Sequence, residues 1–168
     1  MKRVEIIYGG ASNEKEISYL TAKSIYEHID TDLYNPGLTD LSKFDPDNFD
    51  NETIFFIAVH GEGGEDGKIQ TLLENKKRKF TGSSSESCIL TWDKVATKRA
   101  LIANDILTPQ FKSIKNNEHF DFNDSFFTEN EDYFVKPNFN GSSYGISKVS
   151  DKKFNEALKE AKNYSTEV

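Results

Sequence analysis

Five residues in one short run have the types needed to hold a polyphosphate. They are Lys136, Gly141, Ser142, Ser143 and Gly145, in FVKPNFNGSSYGISKV from Phe134 to Val149. The lysine supplies a fixed positive charge. The glycines remove the Cβ atoms that keep a backbone away from a ligand. The serines add hydroxyl donors, and successive backbone N–H groups in such a loop can form an anion nest. A plain hairpin with a Gly/Ser turn would use the same residues, and the run alone does not decide between the two. Neither GxxxxGK[ST] nor GxGxxG occurs in the chain, so neither common nucleotide fingerprint applies.

Two further groups invite chemistry. His60 follows the apolar run Ile54–Val59 and precedes four glycines and three acids, GEGGEDG. That places it at the carboxyl end of a strand, where open α/β sheets bind ligands. Glu14 lies just after Gly9–Gly10, at the start of a helical pattern. Its plain role there is to compensate the helix dipole; its chemical role would be to hold a ligand ammonium or take a proton. Lys94 and Lys98 are four residues apart and share a helix face. His28 and His119 have no such setting and read as surface residues.

These residues need elements to position them. Val4–Tyr8 reads as a first strand, followed through Gly9–Gly10 by a helix capped at Ser12 or Asn13, with Ile17, Leu20, Ile25 and Ile29 at helical spacing. Asp30–Pro36 reads as a turn and short strand, Leu38–Asp50 as irregular, and Ile54–Val59 as a central parallel strand covered on both faces. A helix is predicted over Lys68–Glu74 with Ile69, Leu72 and Leu73 inward, ending in a solvated basic run, Lys76–Lys79. The small-residue stretch after Phe80 marks a boundary, giving domains 1–84 and 85–168. In the second, Asp93–Asn104 and Asp151–Tyr164 read as helices, and strands are expected near 110, 134 and 147, with a polar connector over Asn116–Asp132. The expected fold class is α/β: an open parallel-sheet layer followed by an α+β unit.

Composition narrows the function. The 168 residues carry 21 basic and 28 acidic side chains, a net charge of −7. That opposes a broad nucleic-acid surface, so an anionic ligand would need locally placed cations. No apolar run is long enough to span a membrane, and MKRVEIIYGG reads as a strand, not a signal peptide. The single cysteine, Cys88, excludes an internal disulfide and a Cys-based zinc site. It reads as a small buried residue and suits a reducing cytoplasm.

Four segments, GGASNEKEIS, HGEGGEDG, TWDKVATK and VKPNFNGSSYGISKV, resemble in order and spacing the D-alanine–D-alanine ligases of the ATP-grasp superfamily. The resemblance runs from Val4 to Tyr164. It implies a Rossmann-like pre-ATP-grasp domain followed by an incomplete ATP-grasp central domain. It also implies a reaction in which ATP phosphorylates one D-alanine and the amine of a second attacks the acylphosphate, giving a dipeptide for peptidoglycan.

By motif position, Glu14 is expected to anchor the first D-alanine's ammonium and to join a hydrogen-bonded set with Ser142 and a tyrosine. His60 is expected beside the substrate and the transferring phosphate, oriented by Glu65. Lys98 and Lys136 would grip ATP phosphates, and Gly141 to Gly145, with Ser142 and Ser143, would form the mobile loop closing over them. Ile17 would wall the substrate methyl. Glu14, His60, Lys98, Lys136 and Ser142 are thus expected around one cleft.

Family members are substantially longer. Their remaining part supplies the magnesium (or manganese) ligands, an arginine, the triad tyrosine and the adenine-holding strand, so no metal ligand is assigned to this chain. This chain is expected to lack ligase activity alone and to end at an unpaired sheet edge. The family's two-fold dimer forms through the first domain. A non-catalytic binding remnant, or a ligase with another acceptor such as D-lactate, are the other readings.

Overall fold

The computed structural model describes residues 1–116, 118, 126, 132–141, 143–150 and 153–168. Two compact units make up the chain, Met1–Ile89 and Leu90–Val168.

In the first unit, β1 (Lys2–Tyr8), β2 (Tyr34–Asp40), β3 (Ile54–Ile57) and β4 (Lys79–Phe80) form a parallel sheet in the order β2-β1-β3-β4. α1 (Lys15–His28) links β1 to β2, and α2 (Lys68–Asn75) lies between β3 and β4 in the chain. β1 sends alternate side chains into two covered faces, and the one buried charge among them, Glu5, pairs with Arg3 and accepts from the Thr39 hydroxyl. Val4 and Ile6 pack with Ala22 of α1 and with Ala58. Ile7 packs with Phe55, Val59, and Ile69 and Leu73 of α2. The register sets Tyr8 beside Asp40, so β1 and β2 finish together at their carboxyl ends.

Several details differ from the periodicity reading. α1 is capped by Glu14, not by Ser12 or Asn13, and the Ser12 hydroxyl instead accepts the Glu14 N–H at 3.2 Å. Ile17 and Leu20 are exposed, and the buried positions of α1 are Ser18 and Ala22. The reason is a buried hydroxyl: Gly9 N–H donates to Ser18 Oγ at 2.8 Å, and Ser18 Oγ donates to Ala58 C=O at 2.8 Å. These bonds draw the helix so close to the strand ends that only small side chains fit. β2 begins later than expected and runs to Asp40, while β3 stops at Ile57, although Ala58 N–H still donates to Ile7 C=O at 2.8 Å. On α2, Leu72 is partly exposed and Gln70 is buried, its amide donating to Gly64 C=O at 2.6 Å. Arg78 is not part of a solvated run: it is buried, donates to Phe49 C=O, Asp50 C=O and Asn51 Oδ1, and lies 5.4 Å from the Phe55 ring centroid.

α3 (Ser85–Trp92) crosses the division between units. The second unit contains α4 (Lys94–Ala103), the antiparallel pair β5 (Tyr133–Val135) and β6 (Ser147–Val149), and α5 (Phe154–Ala161). Phe154, Ala157, Leu158 and Ala161 of α5 pack with Ile114, Val135 and Val149. The strand expected near 110 does not form. Its end makes only an isolated bridge, Lys115 opposite Glu167, with Ile114 and Val168 exchanging N–H···O=C bonds of 2.8 and 3.0 Å. One bridge does not make a ladder. Most of the Asn116–Asp132 connector lies outside the described residues, as does His119.

Ser18→Ala removes both partners of a buried N–H and a buried C=O. It is expected to destabilise the first unit by about 1–3 kcal/mol, read as a lower urea midpoint by circular dichroism. An unchanged midpoint would contradict the role given to this hydroxyl.

Candidate functional site

In the first unit, three of the expected residues meet at the carboxyl ends of β1 and β3. Glu14 is buried at the start of α1. Its carboxylate lies over Gly61, where a Cβ would fall 2.3 Å from Glu14 Oε2 and where φ is +70°. Only glycine tolerates both conditions. Ser12 Oγ donates to His60 C=O at 3.0 Å while accepting the Glu14 N–H, which ties the helix start to the strand end. The His60 ring is held on both sides: Nε2 is 3.0 Å from Thr21 Oγ1, and Nδ1 is 3.5 Å from Glu65 Oε1. Gly61 C=O accepts from Gly64 N–H and Glu65 N–H, a tight turn that sets Glu65 beside the imidazole. Ile17, one turn along α1 from Glu14, is 54% exposed. A carboxylate largely withdrawn from water attracts a cation more strongly than an exposed one. Beside a fixed imidazole, it suits a small zwitterion.

The second unit gathers cations. Asn138, in the loop after β5, is buried and caps α4 across the fold: its Oδ1 accepts Val95 N–H at 2.9 Å, and its Nδ2 donates to Asp93 Oδ1 at 3.0 Å. Lys94 Nζ donates to Asn138 C=O at 3.2 Å and Asn140 C=O at 2.8 Å, at the root of the glycine loop. Burial pushes the Lys94 ammonium below the usual lysine range, and the charge of Lys136 adds to this; Asp93 partly offsets both. Lys98, one turn on, donates to Pro109 C=O at 2.8 Å and is lowered by burial and then by Lys136. Lys136 is exposed, with Nζ 5.4 Å from the Phe134 ring centroid. In the loop, Gly141 N–H donates to Asn140 Oδ1 at 2.9 Å and Ile146 N–H to Ser143 C=O at 3.2 Å. Gly145, at φ +70°, leaves room for Tyr164 and Pro137, whose atoms would lie 2.7 and 2.9 Å from a Cβ. Ser142 lies outside the described residues.

Lys94 and Asn138 were not among the expected site residues. For Lys94, the only signal was its four-residue spacing from Lys98. Asn138 lies within the quoted segment VKPNFNGSSYGISKV, but nothing in the sequence gave its role, because its partners are 43 and 45 residues away. Cys88 is half-buried and burial raises its thiol, so it stays protonated. Among the described residues no group of three or more His, Cys, Asp or Glu side chains is placed to hold a metal ion.

No protein-family model matches the chain. Curated proteins do. A D-alanine–D-alanine ligase of Marinomonas sp. is 35% identical over 98% of this chain and 54% of its own length. Another, from Polynucleobacter asymbioticus, is 34% identical over 88% of this chain and 44% of its own. The chain's relatives are D-alanine–D-alanine ligases. Among solved structures, the D-alanine–D-alanine ligase of Bacillus anthracis complexed with ATP matches with a TM-score of 0.85 at 26% identity, over 99% of this chain and 57% of that one. The expected fold class, an open parallel-sheet domain followed by part of an ATP-grasp domain, is the fold shared with these ligases. The chain spans about half the length of the ligases it matches.

Gly61→Ala is expected to cost about 1–2 kcal/mol from the left-handed backbone alone and to displace the Glu14 carboxylate. Urea denaturation checks the first effect, and a crystal structure of the variant the second. Wild-type stability together with an unmoved Glu14 would contradict the packing described.

Proposed function

We propose that this chain is a portion of an ATP-dependent ligase that joins two D-alanines through an acylphosphate, supplying dipeptide for peptidoglycan synthesis. The observation that carries this reading is the match to D-alanine–D-alanine ligases along nearly all of the chain. The first unit would take the amino acid: Glu14 pairs with its ammonium, the exposed Ile17 lies against its methyl, and His60, oriented by Glu65, lies beside the substrate and the transferring phosphate. The second would take the triphosphate: Lys98 and Lys136, joined by Lys94, offset its charge, and the backbone and hydroxyls of Gly141, Ser142, Ser143 and Gly145 close around it. ATP, when bound, supplies the phosphoryl group; the residues present here bind and orient.

Magnesium or manganese accompanies ATP in this proposal. The described residues offer no cluster for it, so no step is routed through a metal on this chain. A two-fold dimer through the first unit and a cytoplasmic location belong to the same proposal. Among the described residues no helix is long and apolar enough to cross a membrane.

The purified chain should bind Mg–ATP and D-alanine in calorimetric titrations without D-alanine-dependent ADP release. Robust ADP release would overturn the expected inactivity, and no heat from either ligand would overturn the binding roles.

The lysines give a second test, with a definite sign. In the free protein Lys94 and Lys98 lose their protons below the usual lysine range. A bound polyphosphate favours their charged forms and raises those values again. Between the lowered values and the ordinary ~10.4, ATP binding therefore takes up protons. Titrations at pH about 9.5, in buffers of different ionisation enthalpy, should show uptake that shrinks in Lys94→Met and Lys98→Met. Proton release, or uptake unchanged in both variants, would contradict the assignment.

A further inference from the structure

The imidazole of His60 is engaged at both nitrogens by residues of its own unit, and the two contacts are unequal. Nε2 lies 3.0 Å from Thr21 Oγ1, a full hydrogen bond. Nδ1 lies 3.5 Å from Glu65 Oε1, an electrostatic contact longer than a hydrogen bond. An ionised carboxylate only accepts. A bare Nδ1 lone pair turned to that carboxylate would be repelled, so the neutral tautomer this setting favours has its proton on Nδ1, facing Glu65, and leaves Nε2 to accept from the Thr21 hydroxyl. The Glu65 side chain is 47% exposed, so this is the side that solvent or a ligand reaches. Thr21 sits two turns along α1 from Glu14, with Ser18 between them, and Ser18 is fixed to Gly9 and Ala58 by the bonds described above. The helix that begins at the buried carboxylate thus also reaches the ring.

We propose that Thr21 is a positioning residue: its hydroxyl holds Nε2 so that the Nδ1–H of His60, and not Nε2–H, is the donor presented to the carboxylate of a bound amino acid. The choice of ligand class rests on the ligase reading above; the choice of tautomer rests on the geometry alone. The long Nδ1–Glu65 contact is the one a ligand carboxylate can displace, while the short Thr21 contact stays. Thr21 itself need not touch the ligand.

The test uses the 168-residue chain with isotopically labelled histidine and nitrogen NMR, which separates protonated from unprotonated ring nitrogens. His60→Gln assigns the signals. In the wild type, His60 should show a protonated Nδ1 and an unprotonated Nε2 shifted by an accepted hydrogen bond. Thr21→Val should remove that Nε2 shift, and Thr21→Ser should restore it, a pattern that loss of packing does not produce. A protonated Nε2 in the neutral wild-type ring overturns the proposal without any variant, and so does an Nε2 signal identical in wild type and Thr21→Val. Added D-alanine should move the Nδ1 resonance more than Nε2. If D-alanine moves neither while the ring signals behave as stated, the amino-acid reading of the site fails and the positioning of His60 by Thr21 stands.

Discussion

A single buried hydroxyl governs the first unit. Ser18 accepts from the N–H of Gly9, where β1 has ended, and donates to the C=O of Ala58, just beyond β3. Neither group is part of the sheet's regular ladder, and each would otherwise be a buried orphan. Satisfying both from one short side chain locks α1 against the strand ends at a fixed height. Glu14 one turn before and Thr21 one turn after then occupy set positions over the Gly61 turn and the His60 ring. The site in this unit is therefore a consequence of how the helix is docked.

Asn138 plays the equivalent part in the second unit. It turns its amide oxygen to the open end of α4 and its amide nitrogen to Asp93. That fixes the root of the glycine loop beside the helix that carries Lys94 and Lys98. Three like charges near one another are unfavourable in an empty protein, and burial adds to the cost for Lys94 and Lys98. Structural ion networks normally relieve such repulsion with acids. Among the described residues Asp93 alone opposes this, and it acts on Lys94. A chain with seven excess negative charges that nonetheless gathers lysines at a glycine loop has arranged them against its overall balance, which supports the proposed anion site.

The two units thus divide the chemistry. One offers a buried carboxylate and an oriented imidazole, the other lysines and a backbone loop open to phosphate. In the proposed function the first takes a small zwitterion and the second a polyanion.

Much of this was legible in the amino-acid order. Continuous apolar runs marked β1 and β3, spacing marked α2, α4 and α5, and glycines flagged the turns at Gly61 and Gly145, where the backbone takes positive φ. Glu14, His60 and Lys136 could be singled out because each stands next to such a local signal, whereas Glu65 and the role given to Lys98 came from the resemblance to the ligase motifs. What periodicity could not show were the contacts between segments far apart in the chain. Ser18 meets Ala58 across 40 residues, Thr21 meets His60 across 39, and Asn138 meets Val95 across 43. Likewise, apolar spacing marked Ile17 and Leu20 as part of a helix, but only the close approach enforced by Ser18 decided that they lie outside. Local order determines which backbone conformations and glycine turns are possible. Which polar groups become partners depends on which elements pack together, and that is decided only when the burial of one hydroxyl or amide must be matched by a donor or acceptor brought from elsewhere in the fold.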